Sequence, residues 1–189
     1  MEKTASLKKG RMTTAQMTVT ALMTAVLCIF GPLALPIPVS PVPISLTNLV
    51  LYFMVYILGM KGSLMSFGLY LLLGAAGLPV FSGFAGGLGK LAGLTGGYLL
   101  GFIFMTLAAG FMVERFPDRI FLHGIGMAVG TAICYLFGTV WLAEQISLPF
   151  TAALGVGVVS YLPGDAVKIP LAVIIGPQLR KAVRPMLSR

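Results

Sequence analysis

The sequence predicts an all-α membrane protein, a bundle of six transmembrane helices. Of its 189 residues, 58% are hydrophobic and only 10% are charged, whereas soluble proteins carry about 25% charged residues. The mean hydropathy is +0.99. Because a hydrocarbon core about 30 Å thick takes roughly 20 apolar residues per helix, the chain has room for about five to seven spans and no separate soluble domain. We therefore expect residues 1–189 to form a single integral membrane domain.

The six predicted helices follow the apolar runs of the chain. They lie at about 13–31, 46–60, 62–78, 94–113, 121–143 and 163–182. Residues 32–45 are rich in proline, which removes amide donors and fixes φ, so this loop is predicted to be extended and stiff. The loop 79–93 is rich in glycine. Residues 144–162 are too interrupted for a separate crossing, and we interpret them as an interfacial or re-entrant segment that protein must cover.

The basic residues predict the orientation of the bundle. If both termini are cytoplasmic, eleven of the thirteen Lys and Arg residues lie inside, and only Lys90 and Lys168 lie on the outer side. The eleven are Lys3, Lys8, Lys9, Arg11, Lys61, Arg115, Arg119, Arg180, Lys181, Arg184 and Arg189. This asymmetry is the one that the positive-inside rule expects of six spans. A seventh crossing at 149–160 would place the basic C-terminal segment outside.

The sequence contains no pattern typical of an enzyme. His123 is the only histidine, and Cys28 and Cys134 lie in separate apolar runs, so neither a metal site nor a disulfide is predicted. The phosphate-binding pattern GxxxxGK[ST] is absent, so another subunit must hydrolyse ATP if transport requires it. Membrane orientation accounts for the net charge of +8. We expect no cofactor, no metal and no nucleic-acid partner.

Small residues recur at helical spacing in two places. Glycines occupy positions 89, 93, 97 and 101. For Gly97 and Gly101 this spacing favours close helix packing. Gly93 and the neighbouring Gly96, beside Thr95 and Tyr98, are equally typical of a ligand that approaches bare backbone.

In the first helix, the sequence "ALMTA" places Ala21 and Ala25 one turn apart. This pattern suits either packing within the bundle or the docking of a partner helix.

Asp165 and Lys168 are charged residues within an apolar run, "LPGDAVKIP". A charge at the centre of a transmembrane helix costs about 2.5–3.5 kcal/mol. Pro163 suits the first turn of a helix, so both charges are predicted near the outer boundary, with Pro170 as a candidate bend. Residues three apart share a helix face. Two interpretations stay open, an ion pair that locks helices together and a ligand site that needs an acceptor and a cationic donor.

Four stretches of the sequence resemble the BioY family, the biotin-specific S components of energy-coupling-factor (ECF) vitamin transporters. They are "ALMTA" (21–25), "PVPISLT" (41–47), "GLPVFSGFAGGLGKLAGLTGGYLLGF" (77–102) and "PGDAVKIPLA" (163–172). The resemblance runs over most of the chain in order. The third stretch is the most specific, while the alanine pattern is shared by S components for other vitamins.

This resemblance implies a six-helix S component that captures biotin from outside and performs no chemistry. It would lie in the cytoplasmic membrane of a prokaryote and carry the vitamin inward. Its partners would be a transmembrane coupling subunit and two cytoplasmic ATPases, with Ala21 and Ala25 on the docking face of the first helix.

The same resemblance implies the residues that bind biotin. Asp165 would accept from the ureido ring, and Lys168 would donate to a carbonyl or carboxylate. Apolar walls for the ligand are expected from Phe84, Tyr98 and Trp141. Further donors are expected from the backbone around Gly93 and Thr95.

The contact from loop 1, the proline-rich segment 32–45 and its junction with the second helix, stays open between Ser45, Thr47 and Asn48, because many members of the family have Gln where this chain has Thr47. Lys90 is a second candidate partner for a carboxylate, although a lysine in a loop more often lies at the membrane surface. Two alternative functions also stay open. One is an S component for thiamine or riboflavin, and the other is a proton-coupled secondary transporter that uses Asp165 as a relay.

Overall fold

The structure is a computed structural model that describes residues 12–37 and 40–187. It is predominantly helical, as predicted, with one small sheet. The helices are α1 (Thr14–Phe30), α2 (Thr47–Ala75), α3 (Leu88–Ala92), α4 (Gly96–Arg115), α5 (Ile120–Ile146), α6 (Phe150–Leu154) and α7 (Leu162–Leu187), and the strands are β1 (Ala34–Ile37) and β2 (Ser40–Ser45). Five of the basic residues used to predict the orientation, Lys3, Lys8, Lys9, Arg11 and Arg189, lie outside the described residues.

Helix α1 begins at a capping box. The Thr13 hydroxyl accepts from the amide of Gln16, and the Gln16 side chain accepts from the amide of Thr13, so two amides of the first turn are satisfied. On the inner face, the hydroxyl groups of Thr24 and Ser66 lie 2.9 Å apart. This contact joins α1 to the second half of α2.

The proline-rich loop is extended, as predicted, and folds into an antiparallel hairpin, which was not predicted. Ala34 pairs with Ser45, Leu35 with Ile44, and Ile37 with Ser40. None of these paired residues is a proline, since proline has no amide proton to give to a ladder. The second strand of the hairpin ends at Ser45, next to the start of α2. The Ser45 Oγ accepts from the amide of Thr47 at 3.0 Å.

Helix α2 covers the second and third predicted helices as one element with a break. The break lies at Gly59, where φ is 72° and ψ is −177°. The predicted division at Lys61 was therefore two residues late, because the left-handed φ needs glycine. The Glu114 carboxylate of α4 accepts from the amide of Met60 at 2.6 Å and thus caps the second half of α2.

Helices α4 and α5 form the most extensive helix pair of the described chain. A Cβ added at Gly97 would lie 2.3 Å from the Cβ of Trp141, and one at Gly101 would lie 2.8 Å from the Cα of Cys134. On α5, a Cβ at Gly138 would lie 2.2 Å from the ring of Tyr98. The packing role predicted for Gly97 and Gly101 agrees with this geometry, and α5 contributes glycines of its own.

Residues 144–162 are more helical than expected. Helix α5 extends to Ile146, and α6 continues into a π-helical turn at Gly155–Val159. This unit meets α7 at a bend of 46°. Within the described residues, α2, α4 and α5 are long and apolar enough to cross a membrane, and the bent pair is a fourth candidate. The six-span count and the re-entrant interpretation stay predictions.

We expect Gly138→Ala to lower the stability of the bundle by about 1–3 kcal/mol, since its methyl group would overlap the Tyr98 ring and force α4 and α5 apart. Thermal unfolding of the purified protein in detergent measures this. The matched control is Gly68→Ala in α2, where an added Cβ would meet no atom within 4 Å. Equal stability of the two variants would contradict the packing role of Gly138.

Candidate functional site

A cavity of about 700 Å³, a volume that includes its open mouth, lies between the hairpin, α2, α4, α5 and α7. The apolar and aromatic lining residues are Tyr70, Phe81, Tyr98, Leu99, Phe102, Met105, Cys134, Tyr135 and Tyr161. The hydrophilic ones are Ser45, Thr47, Asn48, Ser82, Thr95, Thr131, Asp165 and Lys168. A largely aromatic wall thus surrounds a few converging polar groups.

Asp165 and Lys168 form a buried ion pair, with 3.1 Å between Lys168 Nζ and Asp165 Oδ1. Helix α7 begins at Leu162, which places Asp165 in its first turn, where the helix dipole favours a negative charge. The two residues are 5% and 9% exposed. Burial of this degree is tolerable because each charge faces the other and both are hydrogen-bonded.

Asn48 closes a triangle with this pair. Its Nδ2 donates to Asp165 Oδ1 at 2.7 Å, and its Oδ1 accepts from Lys168 Nζ at 3.0 Å. The same Oδ1 accepts from the amide of Leu49 at 3.0 Å, which fixes the orientation of the side chain. Asn48 therefore ties the first turn of α2 to the first turns of α7.

Lys168 also binds the hairpin, because its Nζ donates to the carbonyl of Ser45 at 2.8 Å. An ammonium group has three protons, and its three acceptors here are Ser45 O, Asn48 Oδ1 and Asp165 Oδ1. The donors of Lys168 are thus fully used within the protein.

Tyr135 of α5 donates from its hydroxyl to Asp165 Oδ2. Both carboxylate oxygens of Asp165 consequently have partners, Oδ1 from α2 and α7 and Oδ2 from α5. The Tyr135 oxygen keeps acceptor capacity of its own, so this hydroxyl extends the polar cluster along the cavity wall.

The glycine-rich loop forms one wall of the cavity through Phe81. The ring of Phe81 lies against Gly74 of α2, where an added Cβ would be 2.1 Å from it. It also meets the ring of Tyr70 edge to face, with centroids 5.4 Å apart. The Tyr70 hydroxyl donates to the carbonyl of Val80 at 3.0 Å. These contacts hold the loop over α2.

Thr95 differs from the polar residues described above, because its hydroxyl makes no hydrogen bond to the described residues. It is 8% exposed, it lines the cavity, and its Oγ1 has no hydrogen-bond partner among the described residues. Thr95 is the N-cap residue of α4, yet its side chain does not cap the helix. Buried hydroxyl groups usually have a partner, so this one is suited to a bound ligand.

The structure brings seven of the ten predicted binding residues to the cavity. They are Ser45, Thr47, Asn48, Thr95, Tyr98, Asp165 and Lys168. All three loop 1 candidates are present, but Ser45 and Thr47 bond to each other, with 2.6 Å between their hydroxyl oxygens.

The other three predicted binding residues do not line the cavity. Phe84 is 67% exposed and has a positive φ of 56°, since the loop turns there and directs the chain outward. Trp141 donates from Nε1 to the carbonyl of Gly93 at 2.9 Å. Trp141 and Gly93 therefore hold the segment before α4 against α5, next to Thr95.

Sequence reasoning predicted Tyr98 but missed Tyr135, Phe81 and the other aromatic residues that line the cavity. A signal was present in α5, where Thr131 and Tyr135 are polar residues four apart in the apolar middle of the helix, and such residues share a face. Phe81 carried no comparable signal, because its position depends on how the glycine-rich loop folds over α2.

His123 is a structural residue in this fold. Its ring is 1% exposed, with Nδ1 3.2 Å from the Tyr56 hydroxyl and Nε2 2.9 Å from the carbonyl of Phe116. Both ring nitrogens are thus engaged within the protein. Among the described residues, no group of His, Cys, Asp and Glu is placed to hold a metal ion.

Comparison with known proteins gives one consistent family. The profile of the BioY family matches residues 2–185. The biotin transporter BioY of Thermotoga maritima is 36% identical over 145 residues, which cover 77% of this chain and 85% of that protein. The biotin transporter BioY of Rhizobium etli is 34% identical over 179 residues, which cover 87% and 92%.

A solved structure has the same fold. It is the crystal structure of the S-component for biotin from an ECF-type ABC transporter, with a TM-score of 0.82 and 32% identity, and the match covers 90% of this chain and 95% of that one. The all-α fold of this chain is therefore that of an S component.

We expect Lys168→Met to lower the stability of the ligand-free protein by about 3–5 kcal/mol, because Asp165 would keep a buried and uncompensated charge. The double variant Asp165→Leu/Lys168→Met should recover part of this loss. Thermal unfolding in detergent tests both, with the exposed Lys61→Met as the control. The single variant Asp165→Leu is measured as well. A loss of stability in the double variant that equals the sum of the losses in the two single variants would contradict the pairing.

Proposed function

The chain belongs to the BioY family, and we propose that it is the biotin-binding, membrane-translocating subunit of an ECF-type ABC transporter for biotin uptake. The observation that carries this proposal is the buried Asn48–Asp165–Lys168 triangle at one wall of an aromatic cavity. Family membership supplies the ligand, since the related proteins are biotin transporters. The subunit performs no chemistry of its own.

The chemistry of biotin suits this cavity. Its ureido ring offers two N–H donors and one carbonyl acceptor, and the Asp165 carboxylate and the Tyr135 hydroxyl provide acceptors close together. Because Lys168 is saturated in the ligand-free protein, a ligand carbonyl must replace one of its internal acceptors. The Ser45 carbonyl and Asn48 Oδ1 are the two neutral acceptors that such an exchange would release.

The sulfur-containing ring and the aliphatic chain of biotin are apolar, and they suit the aromatic wall. Tyr98 is held in place by its hydroxyl, which donates to the carbonyl of Gly157 at 2.9 Å, and its ring lies 6.4 Å from that of Tyr161. In the proposed site, Gly93 and Trp141 act indirectly by bracing the loop beside Thr95. Phe84 would reach the ligand only after an inward turn of its loop.

We place the protein in a prokaryotic cytoplasmic membrane as six spans with both termini inside. The spans are α1, the two halves of α2 on either side of Gly59, α4, α5 and α7. The distribution of Lys and Arg supports this orientation. Asp165 and Lys168 then face the outer side through the cavity mouth, from which the ligand enters.

The proposed partners are a transmembrane coupling subunit and two cytoplasmic ATPases, because the structural neighbour is a component of an ECF-type ABC transporter. Ala21 and Ala25 of α1 are both exposed. Leu22 and Ile29, on the same helix, are 61% and 63% exposed. This surface, without large side chains at Ala21 and Ala25, allows a partner helix to approach α1 closely.

We expect Asp165→Asn to weaken biotin binding by about 10- to 100-fold, because the variant loses charge-assisted acceptors for the ureido N–H groups. Isothermal titration calorimetry in detergent measures the change, with thiamine and riboflavin as competitors. Asp118→Asn, at an exposed acid between α4 and α5, is the matched control. Binding of another vitamin in preference to biotin would refute the proposed ligand.

We expect Ala21→Trp and Ala25→Trp to prevent assembly with the coupling subunit and to leave biotin affinity within about twofold, since the bulky ring blocks close helix approach. Co-purification with the coupling subunit and biotin uptake are the measurements. Ala132→Trp, at an exposed alanine of α5, is the control. Normal assembly of both α1 variants would remove this face from the partner interface.

A further inference from the structure

A second groove, which is apolar, opens on the side of the bundle between α4, α5 and the break of α2. Its lining residues among those described are Met60, Phe104, Leu107, Ala108, Phe111, Met112, Gly126, Val129 and Ile133. Phe111 and Val129 are 53% and 49% exposed. At one end, the rings of Phe104 and Phe137 stack with their centroids 4.7 Å apart. The groove shares no lining residue with the ligand cavity, so it is a separate feature of the fold.

The other end of the groove is basic. On α4, Arg115 follows the lining residue Phe111 by four positions, and residues four apart share a helix face. On α5, Arg119 precedes the lining residue Gly126 by seven positions, which is about two helical turns. Lys61 lies at the same end, next in sequence to the lining residue of α2. All three cations are exposed.

These three cations have no carboxylate partner within the described residues, where the salt bridge formed is the one in the ligand cavity. Of the two acids in this region, Glu114 accepts from the amide of Met60 at 2.6 Å, and Asp118 is exposed without an ion pair. The Cζ atom of Arg115 lies 5.6 Å from the centroid of the Phe116 ring. This contact leaves the edge of the guanidinium group open to an anion such as phosphate, which arginine binds well.

The membrane restricts what can cover this groove. Two copies of the chain in the same orientation could meet here only about an axis along the membrane normal. Such an axis would bring Arg115 and Arg119 of one copy towards those of the other, and opposed like charges disfavour an interface. A phospholipid instead lays an acyl chain along the apolar groove and places its phosphate at the membrane surface, where the cations lie in the proposed orientation. An anionic lipid therefore complements both ends of the groove.

We propose that this groove binds an acyl chain of an anionic phospholipid of the cytoplasmic leaflet, with Arg115 and Arg119 as partners of the phosphate and Lys61 beside them. The inference goes beyond the proposed function and takes from it only the orientation in the membrane. Among the described residues, α1 contributes nothing to the groove, so the proposed docking face at Ala21 and Ala25 stays free when the lipid is bound. The lipid anchors the turn between α4 and α5 to the inner leaflet.

Native mass spectrometry of the purified protein tests the site, with phosphatidylglycerol and phosphatidylcholine of the same acyl chains as the titrated lipids. We expect the wild-type protein to bind its first phosphatidylglycerol about tenfold more tightly, because the phosphatidylcholine head group has no net charge. Arg115→Gln and Arg119→Gln should each weaken phosphatidylglycerol by about fivefold and phosphatidylcholine by less than about twofold. Ala108→Phe should weaken both lipids by about fivefold or more, since its ring fills the groove.

The matched controls are Arg184→Gln, at an exposed arginine of α7, and Ala132→Phe, at an exposed alanine of α5 outside the groove. Three outcomes would overturn the lipid site. An equal effect of Arg184→Gln would assign the binding to the basic surface as a whole, and unchanged binding of both lipids by a folded Ala108→Phe variant would remove the groove. A wild-type dimer that Ala108→Phe separates would assign the groove to a second copy.

Biotin affinity, measured in every variant, should stay within about twofold of the wild-type value. If Ala108→Phe does not fold, the two arginine variants decide the question alone. A wild-type protein that binds the lipid selectively but not biotin would refute the proposed function and leave the lipid site standing. A protein that binds biotin but shows no preference for the anionic lipid would refute the lipid site, so the two failures are distinguishable.

Discussion

The buried contact between Asp165 and Lys168 is the interaction on which the rest of the cavity depends. Neither charge could remain buried alone, and each recruits partners from other elements. Asn48 joins the pair from α2, Tyr135 from α5 and Ser45 from the hairpin. One ion pair therefore fixes the relative positions of four elements around the cavity mouth. The same contacts pair the two charges with each other, so the cluster suits the polar but uncharged ureido ring of the proposed ligand.

Glycine packing supplies the second constraint, because it sets how closely the helices approach beneath that cluster. Gly97 and Gly101 of α4 face Trp141 and Cys134 of α5 at distances that exclude a side chain. Close approach of this pair holds Tyr98 in the wall and Thr95 at its end. The surface that lines the cavity and the surface that packs against α5 thus lie on successive residues of one helix.

Several features of the site were predictable from individual residues. Two charges three apart in an apolar run indicated a shared face, and Pro163 placed them at a helix start, where α7 indeed begins one residue earlier. Phe84 and Trp141 were chosen as aromatic walls by residue type alone, and in the fold one is exposed and the other braces Gly93. Residue type indicates what a side chain can contact, but the loop's left-handed turn at Phe84 decides its direction.

The sequence by itself determined the class of the protein, the approximate helices, the packing role of Gly97 and Gly101 and the shared helix face of Asp165 and Lys168. These features are local, since apolar length, four-residue spacing and helix starts are written in neighbouring residues. Only the tertiary structure decided which groups are already satisfied. Asn48 and Lys168 are 120 residues apart, so the saturation of Lys168, the contact of Tyr135 with Asp165 and the unused hydroxyl of Thr95 emerge only when distant segments meet. Hydrogen-bond satisfaction is a property of the folded neighbourhood, because it depends on which distant segments bring their donors and acceptors together.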